Sequence, residues 1–316
     1  MIRRTYLIGL LSLALLVTGL DGVAHAAIEV NSISRNYDEV QAYMADLVAK
    51  YPLNAQFFDL GLSDSGAVIR GLKIGSGSVK NLVVATHHGN EYGSTEVAKG
   101  FAASLAADPM QDQTVFVIPV LNIGGYNKRM RRESARGQSF DPNRNYPGPC
   151  GTEGPFTLKS TGALAQFIDV QGIVSSATLH TYFPAVVYPW GLSSRDLSTP
   201  YDDIFKMLAE VATVESRYQT GNSTEVVYAA DGTYEDYAYW KYGVWSMLFE
   251  LGYSHSPTQS QVDEMVRVNV PGLRRMFAQA PRERAENHAF AGRCINKAAM
   301  AASGVIDPRY VDRHDE

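Results

Sequence analysis

Apolar and polar positions alternate along this chain in a way that predicts strands and helices in turn. Residues 37–51 place Met44, Leu47 and Val48 on one face, which is typical of an amphipathic helix that ends before a proline. Residues 114–121 form a continuous apolar run, as expected of a strand that is covered on both faces. These two patterns recur through most of the chain.

The same analysis extends to the rest of the sequence. It predicts strands at 57–60, 67–74, 176–182, 185–188 and 245–251, a further strand beginning at Leu82, and helices at 94–107, 161–170, 201–215 and 259–278. This order predicts an α/β fold: a single domain with a mixed, mostly buried β-sheet that is flanked by helices. Residues 122–160 are a long irregular region, and regions of that length in compact domains are usually functional.

The first 26 residues have the pattern of a signal peptide. Arg3 and Arg4 precede an apolar run, and Ala24-His25-Ala26 supplies a cleavage signal of small residues. The alternative, an uncleaved membrane anchor, is disfavoured because the apolar run is short for a bilayer span. We therefore expect a secreted or periplasmic protein without a membrane anchor after cleavage.

Charge and cysteine content change this picture only slightly. The formal net charge of −5 argues against nucleic acid as a partner. Cys150 and Cys294 are the only cysteines, and in an oxidising compartment they either form one disulfide or remain two separate buried thiols. The sequence leaves both states open.

Candidate metal ligands follow two of the predicted strands. His88 and Glu91 come directly after the Leu82 strand, and His180 closes a strand further along the chain. Each of these features alone is more often a polar turn or a core histidine. Together, two histidines and one glutamate leave a coordination position open, which suits a catalytic rather than a structural zinc ion.

Two further features supply chemistry beside such a metal. Glu250 lies within an apolar strand, where it either has a hidden cationic partner or acts as a general base that activates water. In the irregular region, Arg144 stands between two asparagines and suits bidentate binding of a carboxylate. A further arginine of this region would stabilise an oxyanion on a scissile carbonyl.

The ordered set His-x-x-Glu, Asn-Arg-Asn, strand-His and Phe-Glu-Leu resembles the zinc carboxypeptidases of the carboxypeptidase A/B type. The matches extend from the helix at 37–51 to Gly252. The resemblance implies a zinc-dependent enzyme that removes one C-terminal amino acid from peptides or proteins. It implies His88, Glu91 and His180 as zinc ligands.

The resemblance also assigns the surroundings of the metal. Asp141 matches the aspartate that holds the first histidine ligand, and Arg132 matches the arginine that polarises the scissile carbonyl. The neighbouring residues Lys128, Arg129 and Arg131 are predicted to lie on the solvated surface. Family members often have arginine where this chain has Asn90, so an outer substrate contact is expected to be missing.

Substrate-binding roles follow from the same comparison. Asn143 and Arg144 match the pair that binds the terminal carboxylate, Tyr228 matches the mobile tyrosine that covers the substrate, and Glu250 matches the general base. Glu235 falls at the main specificity position, where a carboxylate favours C-terminal Lys or Arg. The alternative is that Glu235 and the adjacent acidic residues face solvent.

The predicted organisation is a signal peptide at 1–26, a catalytic domain at 27–280 and a C-terminal extension at 281–316 that is helical around 285–302. We expect a monomer. Two other functions remain open: a peptidase for peptidoglycan peptides beside diaminopimelate, and an inactive protein of the same fold that binds peptide C-termini. The second requires loss of a ligand or of the base, and the sequence keeps all of them.

Overall fold

The computed structural model describes residues 32–152, 154–193 and 197–294. The predicted signal peptide lies outside these residues. Within the described part of the chain, no helix is long and apolar enough to cross a membrane.

Helices and strands alternate as the sequence predicts. The helices are α1 (Tyr37–Lys50), α2 (Tyr92–Ala107), α3 (Ile123–Lys128), α4 (Lys159–Gln171), α5 (Asp202–Ala212), α6 (Ser223–Val226), α7 (Tyr234–Tyr242) and α8 (Gln259–Gln279). The strands are β1 (Ala55–Leu62), β2 (Val68–Gly75), β3 (Val79–Ala85), β4 (Gln113–Ile118), β5 (Glu133–Ala135), β6 (Gln138–Phe140), β7 (Ser175–His180), β8 (Ala185–Tyr188), β9 (Gln219–Asn222) and β10 (Trp245–Glu250).

Eight strands form one mixed sheet in the order β1-β2-β4-β3-β7-β10-β8-β9. Its centre is parallel, because β3 pairs with β4 and β7, and β7 pairs with β10. The antiparallel pairs join β1 to β2, β2 to β4 and β8 to β10. Parallel neighbours end at the same edge of a sheet, so the residues that follow β3, β7 and β10 meet there.

The central strands are buried on both faces, which confirms the predicted α/β fold with a mostly buried mixed sheet. Every residue of β4 and β7 is buried. Helix α8 packs against α2 and α5, whereas α4 packs against α7 and strand β1. Side chains from the sheet and these helices form a single large core, which holds the edge that carries the site in place.

The structure departs from the predicted elements in several places. The short elements α3, β5, β6, α6 and β9 were not predicted, and two longer segments also differ. Helix α7 was not predicted, because its sequence YEDYAYWKY is polar and aromatic on all sides and shows no helical period. The predicted helix around 285–302 is wrong for its described part, since residues 281–294 contain no helix. The backbone of this segment bonds to the domain instead; for example, Ala285 N–H donates to Gly243 O at 2.8 Å. Residues 295–302 lie outside the described residues.

Candidate active site

His88, Glu91 and His180 converge at the carboxyl edge of the central strands. One ligand atom from each residue lies within 4.8 Å of those of the other two, and all three side chains are buried. His88 Nδ1 lies 2.7 Å from Glu91 Oε1, and His180 Nδ1 lies 3.0 Å from Glu91 Oε2. The structure therefore brings together the three residues that the sequence predicts as zinc ligands.

The turn after β3 depends on close backbone packing. Gly89 lies between the two ligands of this turn, and a Cβ atom there would stand 2.1 Å from the backbone carbon of Gly125. Only glycine fits this approach. Gly89 N–H also donates to Arg131 O at 3.2 Å, which ties the turn to the long irregular region.

Asp141 orients the first histidine of the cluster. Its Oδ1 lies 3.0 Å from His88 Nε2, so an Nε2–H donor leaves the Nδ1 lone pair pointing into the cluster. His180 Nδ1 faces the same point at 3.2 Å from His88 Nδ1. Two imidazole lone pairs and a carboxylate that face one another fit a cation such as zinc.

Electrostatics keep the carboxylates of this cluster ionised. Burial alone raises the pKa of Glu91, but the neighbouring His88 and His180 outweigh it and hold the pKa well below its usual range. Burial also raises the pKa of Asp141, and His88 with the nearby arginines outweighs it in the same way. Ionised carboxylates are the form that binds a metal and that orients its histidine ligand.

Glu250 lies at the end of β10, directly opposite His180 in the register of the two parallel strands. Its side chain lines the same cavity as the cluster. Burial, followed by repulsion from Glu91, raises the pKa of Glu250 well above its usual range. A bound cation would offset both effects and favour the carboxylate that a general base requires.

The structure does not bring Arg132 to the site. Its side chain is exposed and does not line the cavity, whereas Arg131 does, with Nη1 3.6 Å from Glu91 Oε1. Arg131 Nε and Nη2 also donate to Asp141 Oδ2, at 3.1 and 2.9 Å. The prediction of a solvated Arg131 is therefore wrong, and the prediction that places Arg132 at the site is off by one position. Successive side chains of this irregular segment point in different directions, and no sequence period shows which one turns inward.

Arg129 is not a solvated surface residue either. Its guanidinium lies over the rings of Tyr92 and Tyr126, and its Nη2 donates to Ser34 O at 2.6 Å. It therefore fastens the segment before α1 to the domain. Lys128 is exposed, as predicted.

Asn143, Arg144 and Tyr228 line one wall of the cavity. Arg144 Nη2 donates to the Tyr228 hydroxyl at 2.9 Å, and its Nη1 donates to Asn143 O at 2.7 Å. Asn143 is buried, and its Oδ1 accepts from Tyr234 N–H at 2.9 Å. The guanidinium is thus held by neutral groups and carries a positive charge that no carboxylate contacts directly within the described residues.

Glu235 lies in the first turn of α7 and faces the cavity rather than solvent. Its side chain is only 2% exposed, and its Oε2 accepts no hydrogen bond from the described residues. Burial raises its pKa. The adjacent Asp236 is also buried, and both of its carboxylate oxygens accept from Gly191 N–H. The Glu235 carboxyl group therefore faces the cavity, whereas the Asp236 carboxyl group forms hydrogen bonds within its wall.

The cavity that joins these groups has a volume of about 470 Å³. Part of its wall is apolar and consists of Val187, Val226 and Leu248. Tyr182, Phe183 and His255 also line it, with the Tyr182 and His255 rings 4.7 Å apart. Sequence reasoning did not identify these residues. The only available signal was that Tyr182 and Phe183 follow His180 after one intervening residue, Thr181.

Cys150 and Cys294 form a disulfide, which settles the state that the sequence left open. Cys150 belongs to the irregular region that carries Arg144, and Cys294 is the last described residue of the C-terminal extension. The bond therefore joins a segment of the site to the end of the described chain.

Comparison with known proteins shows to which family this chain belongs. Residues 40–272 match the zinc carboxypeptidase family. The carboxypeptidase B of Astacus astacus is 28% identical over 252 residues, which cover 66% of this chain and 82% of that protein. The carboxypeptidase A2 of Mus musculus is 28% identical over 260 residues, which cover 68% of this chain but only 61% of the mouse protein.

Solved structures share the fold. Bovine thrombin-activatable fibrinolysis inhibitor, in complex with a tick carboxypeptidase inhibitor, superposes with a TM-score of 0.71 at 18% identity, over 77% of this chain and 96% of that chain. The carboxypeptidase A of Helicoverpa armigera gives a TM-score of 0.69 at 18% identity, over 80% of this chain and 77% of its own.

The chain belongs to the zinc carboxypeptidase family. It is a metallocarboxypeptidase, a hydrolase that uses zinc, and its buried cluster of His88, Glu91 and His180 has the donor set for that ion. The predicted resemblance is confirmed at the level of the family. Proteins of this class act on the C-termini of peptides.

Proposed function

We propose that this protein removes single C-terminal residues from peptides and prefers Lys or Arg. The observation that carries the proposal is the position of Glu235: a buried carboxylate whose Oε2 has no hydrogen-bond partner among the described residues, in the cavity that also contains the metal cluster and Arg144. A cationic side chain of the substrate would supply the missing partner.

Arg144 limits the enzyme to chain ends. Its guanidinium and the Asn143 side chain bind the terminal carboxylate, and a bidentate arginine contact fixes both position and orientation. Tyr228 already contacts the same guanidinium through its hydroxyl. This contact supports a role for Tyr228 in covering the bound residue. An internal peptide bond has no carboxylate to offer, so Arg144 would remain buried without its partner.

The hydrolysis itself would use Arg131 and Glu250. Zinc, when bound to His88, Glu91 and His180, supplies a Lewis acid for the scissile carbonyl. Arg131 donates a hydrogen bond to the carbonyl oxygen as negative charge develops there. Glu250 removes a proton from the attacking water and returns it to the leaving amine, so that its carboxylate is regenerated in each cycle. Arg131 thus takes the role that the sequence assigned to Arg132.

The shape of the wall supports a long basic side chain. Val187, Val226 and Leu248 form an apolar surface along which the methylene groups of Lys or Arg would pack, while the charged end reaches Glu235. Diaminopimelate carries a second carboxylate beside its terminal amino group. That second carboxylate would lie near the Glu235 carboxylate and be repelled by it. Neither arginine that lines the cavity would be free to bind it, because Arg131 is assigned to the scissile carbonyl and Arg144 to the terminal carboxylate. The peptidoglycan function is therefore the second candidate.

An inactive binding protein is the least supported function, because the cluster, Glu250 and Arg131 are all brought to one cavity. We also propose that the protein is exported, with a signal peptide at 1–26 and a catalytic domain at 27–280. The Cys150–Cys294 disulfide supports an oxidising compartment. Mass measurement of the N-terminus of the protein from its native host would test the cleavage site.

The test uses zinc-loaded protein and a set of peptides that differ only in the C-terminal residue, each also prepared as the C-terminal amide. We expect loss of one Lys or Arg from the free acids, no cleavage of the amides, and no activity with a chelator. Glu235→Gln keeps the shape of the side chain, and it should lower kcat/KM for Lys and Arg by about a hundredfold while affecting apolar residues little. Removal of apolar residues by both forms would refute the basic preference. Cleavage of peptidoglycan fragments alone would favour the second candidate.

A further inference from the structure

Residues 281–294, here called the C-terminal strap, follow α8 and lie along the outside of the domain. The strap begins against the C-terminal end of α7 and against α4. Ala285 N–H donates to Gly243 O, while Arg284 Nε and Nη2 donate to Ile173 O and Ile168 O, each at 2.8 Å. The carbonyls of Ile168 and Ile173 lie near the end of α4 and just after it, where a helix leaves acceptors unsatisfied. The strap is thus an integral part of the packed domain.

The strap next follows helix α7, whose first turn carries Glu235. The Tyr239 hydroxyl donates to Asn287 O at 3.2 Å, and His288 Nδ1–H donates to Trp240 O at 2.8 Å. One contact uses a buried side chain of α7, and the other uses its backbone near the C-terminal end. The strap therefore contacts the helix that presents Glu235 at two of its residues, Tyr239 and Trp240.

A third contact reaches the wall of the cavity. The Phe290 ring packs edge-on against Trp190 at 5.2 Å between centroids. Trp190 is buried and directly precedes Gly191, which lines the cavity and donates its N–H to Asp236. Phe290 thus supports the turn at Trp190 and Gly191, which contacts Asp236, the residue next to Glu235.

The strap ends at Cys294, which is bonded to Cys150. The segment around Cys150 continues from Arg144 and is bonded to the loop after Tyr228. Tyr146 N–H donates to Gly232 O at 3.1 Å, and Thr152 Oγ1 donates to Asp231 Oδ1 at 3.2 Å. The disulfide therefore fastens the strap to the segments that carry the carboxylate-binding groups.

We propose that the C-terminal strap, closed by the Cys150–Cys294 disulfide, positions the walls of the pocket that receives the substrate's C-terminal side chain. Helix α7, the turn at Trp190 and the segment at Cys150 come from distant parts of the chain, and the strap contacts all three. By contrast, strands β3, β7 and β10 determine the positions of the three candidate zinc ligands and of Glu250. Loss of the disulfide should therefore weaken binding of the side chain more than it slows the chemical step. The inference rests on the proposed function for its kinetic test only.

The kinetic experiment compares wild type with the double variant Cys150→Ser/Cys294→Ser and with Phe290→Ala, while Glu286→Ala serves as a control at an exposed strap position. Each enzyme is given the peptide that wild type cleaves best, whichever residue that is, and the same peptide ending in glycine. We expect KM for the first peptide to rise by about tenfold in the double variant and in Phe290→Ala, with kcat changed by less than about twofold. The glycine peptide should be unaffected, because it has no side chain to place. Restoring a large apolar ring with Phe290→Tyr should restore KM.

Equal losses for both peptides would mean that the strap stabilises the whole domain and would overturn the proposal, as would unchanged KM values in both variants. Hydrogen exchange provides a readout that needs no turnover. In the double variant, amides of residues 228–242 should exchange faster while those of β3 and β7 keep the wild-type rate. Unchanged exchange at 228–242 would also overturn the proposal. If wild type cleaves no peptide, the proposed function fails, and the exchange result decides the role of the strap by itself.

Discussion

His180 and Glu250 are paired at the last register position of two adjacent parallel strands, β7 and β10. His180 is one of the three candidate zinc ligands, and Glu250 is the proposed general base. Because both residues lie on strands, the backbone hydrogen bonds of the sheet, rather than a loop, set the distance between them. Groups on such rigid elements keep their geometry more accurately than groups on loops do. Tyr228, by contrast, lies in the loop between α6 and α7, and its proposed role is in binding.

Replacing Glu250 should separate chemistry from metal binding. Glu250→Gln keeps the shape of the side chain but removes the proton acceptor, so we expect kcat to fall by about 10²- to 10⁴-fold. Zinc content, measured on the purified variant by elemental analysis, should match wild type because Glu250 is not part of the cluster. Near-normal turnover would show that another group accepts the proton.

Arg131 and Arg132 form a matched pair of adjacent arginines. Arg131→Met should lower kcat by about 10²- to 10³-fold, because the transition state loses a positive charge at the carbonyl oxygen. Arg132→Met removes the same charge from an exposed position and should change kcat by less than about twofold. Steady-state kinetics and zinc content of both variants provide the check. The reverse order of effects would restore the assignment made from sequence.

Asp141 should control metal affinity. Asp141→Asn keeps an acceptor for the backbone N–H of Asn143 but weakens the contact with His88 Nε2 and with Arg131. We expect the affinity for zinc to fall by about 10- to 100-fold in a competition titration against a chelator. Asp46→Asn, at an exposed position of α1, serves as the control. Unchanged affinity would mean that His88 is oriented by other groups.

Glu133 should make stability depend on pH outside the active site. This buried residue accepts from Ser160 Oγ at 2.7 Å, and burial raises its pKa to about 7. The unfolded chain releases this proton near pH 4.5, whereas the folded protein keeps it until about pH 7, so the folded state binds more protons between these values. Stability from this group is therefore present below about pH 4.5 and falls by about 3 kcal/mol as the pH rises to 7.

Glu133→Gln cannot ionise and should remove this dependence. The difference in unfolding free energy between variant and wild type, measured by denaturant unfolding of zinc-loaded protein, should shift in favour of the variant as the pH rises from 4.5 to 7. Glu210→Gln, at an exposed position, should show no such trend. A constant difference across the pH range for Glu133→Gln would contradict the raised pKa.

The apolar pattern of the sequence predicts every strand of the main sheet except β9, together with the polar residues that close or follow those strands. Apolar runs report burial, and a polar residue at the end of such a run is unusual enough to mark chemistry. His88, Glu91, His180 and Glu250 were therefore predicted as site residues, and the parallel order of β3, β7 and β10 brings them together. Asn143 and Arg144 were predicted from their short motif, and both line the cavity.

Features that depend on side-chain direction or on contacts between distant residues were not predictable from the sequence. In the irregular region no period distinguishes Arg131 from Arg132, and packing against Asp141 selects the first. Glu235 lies in a helix without an apolar stripe, so its burial follows from what packs around α7. The pairing of Cys150 with Cys294 joins positions 144 residues apart, and the strap remains without helix because the domain, rather than its own backbone, satisfies its hydrogen bonds.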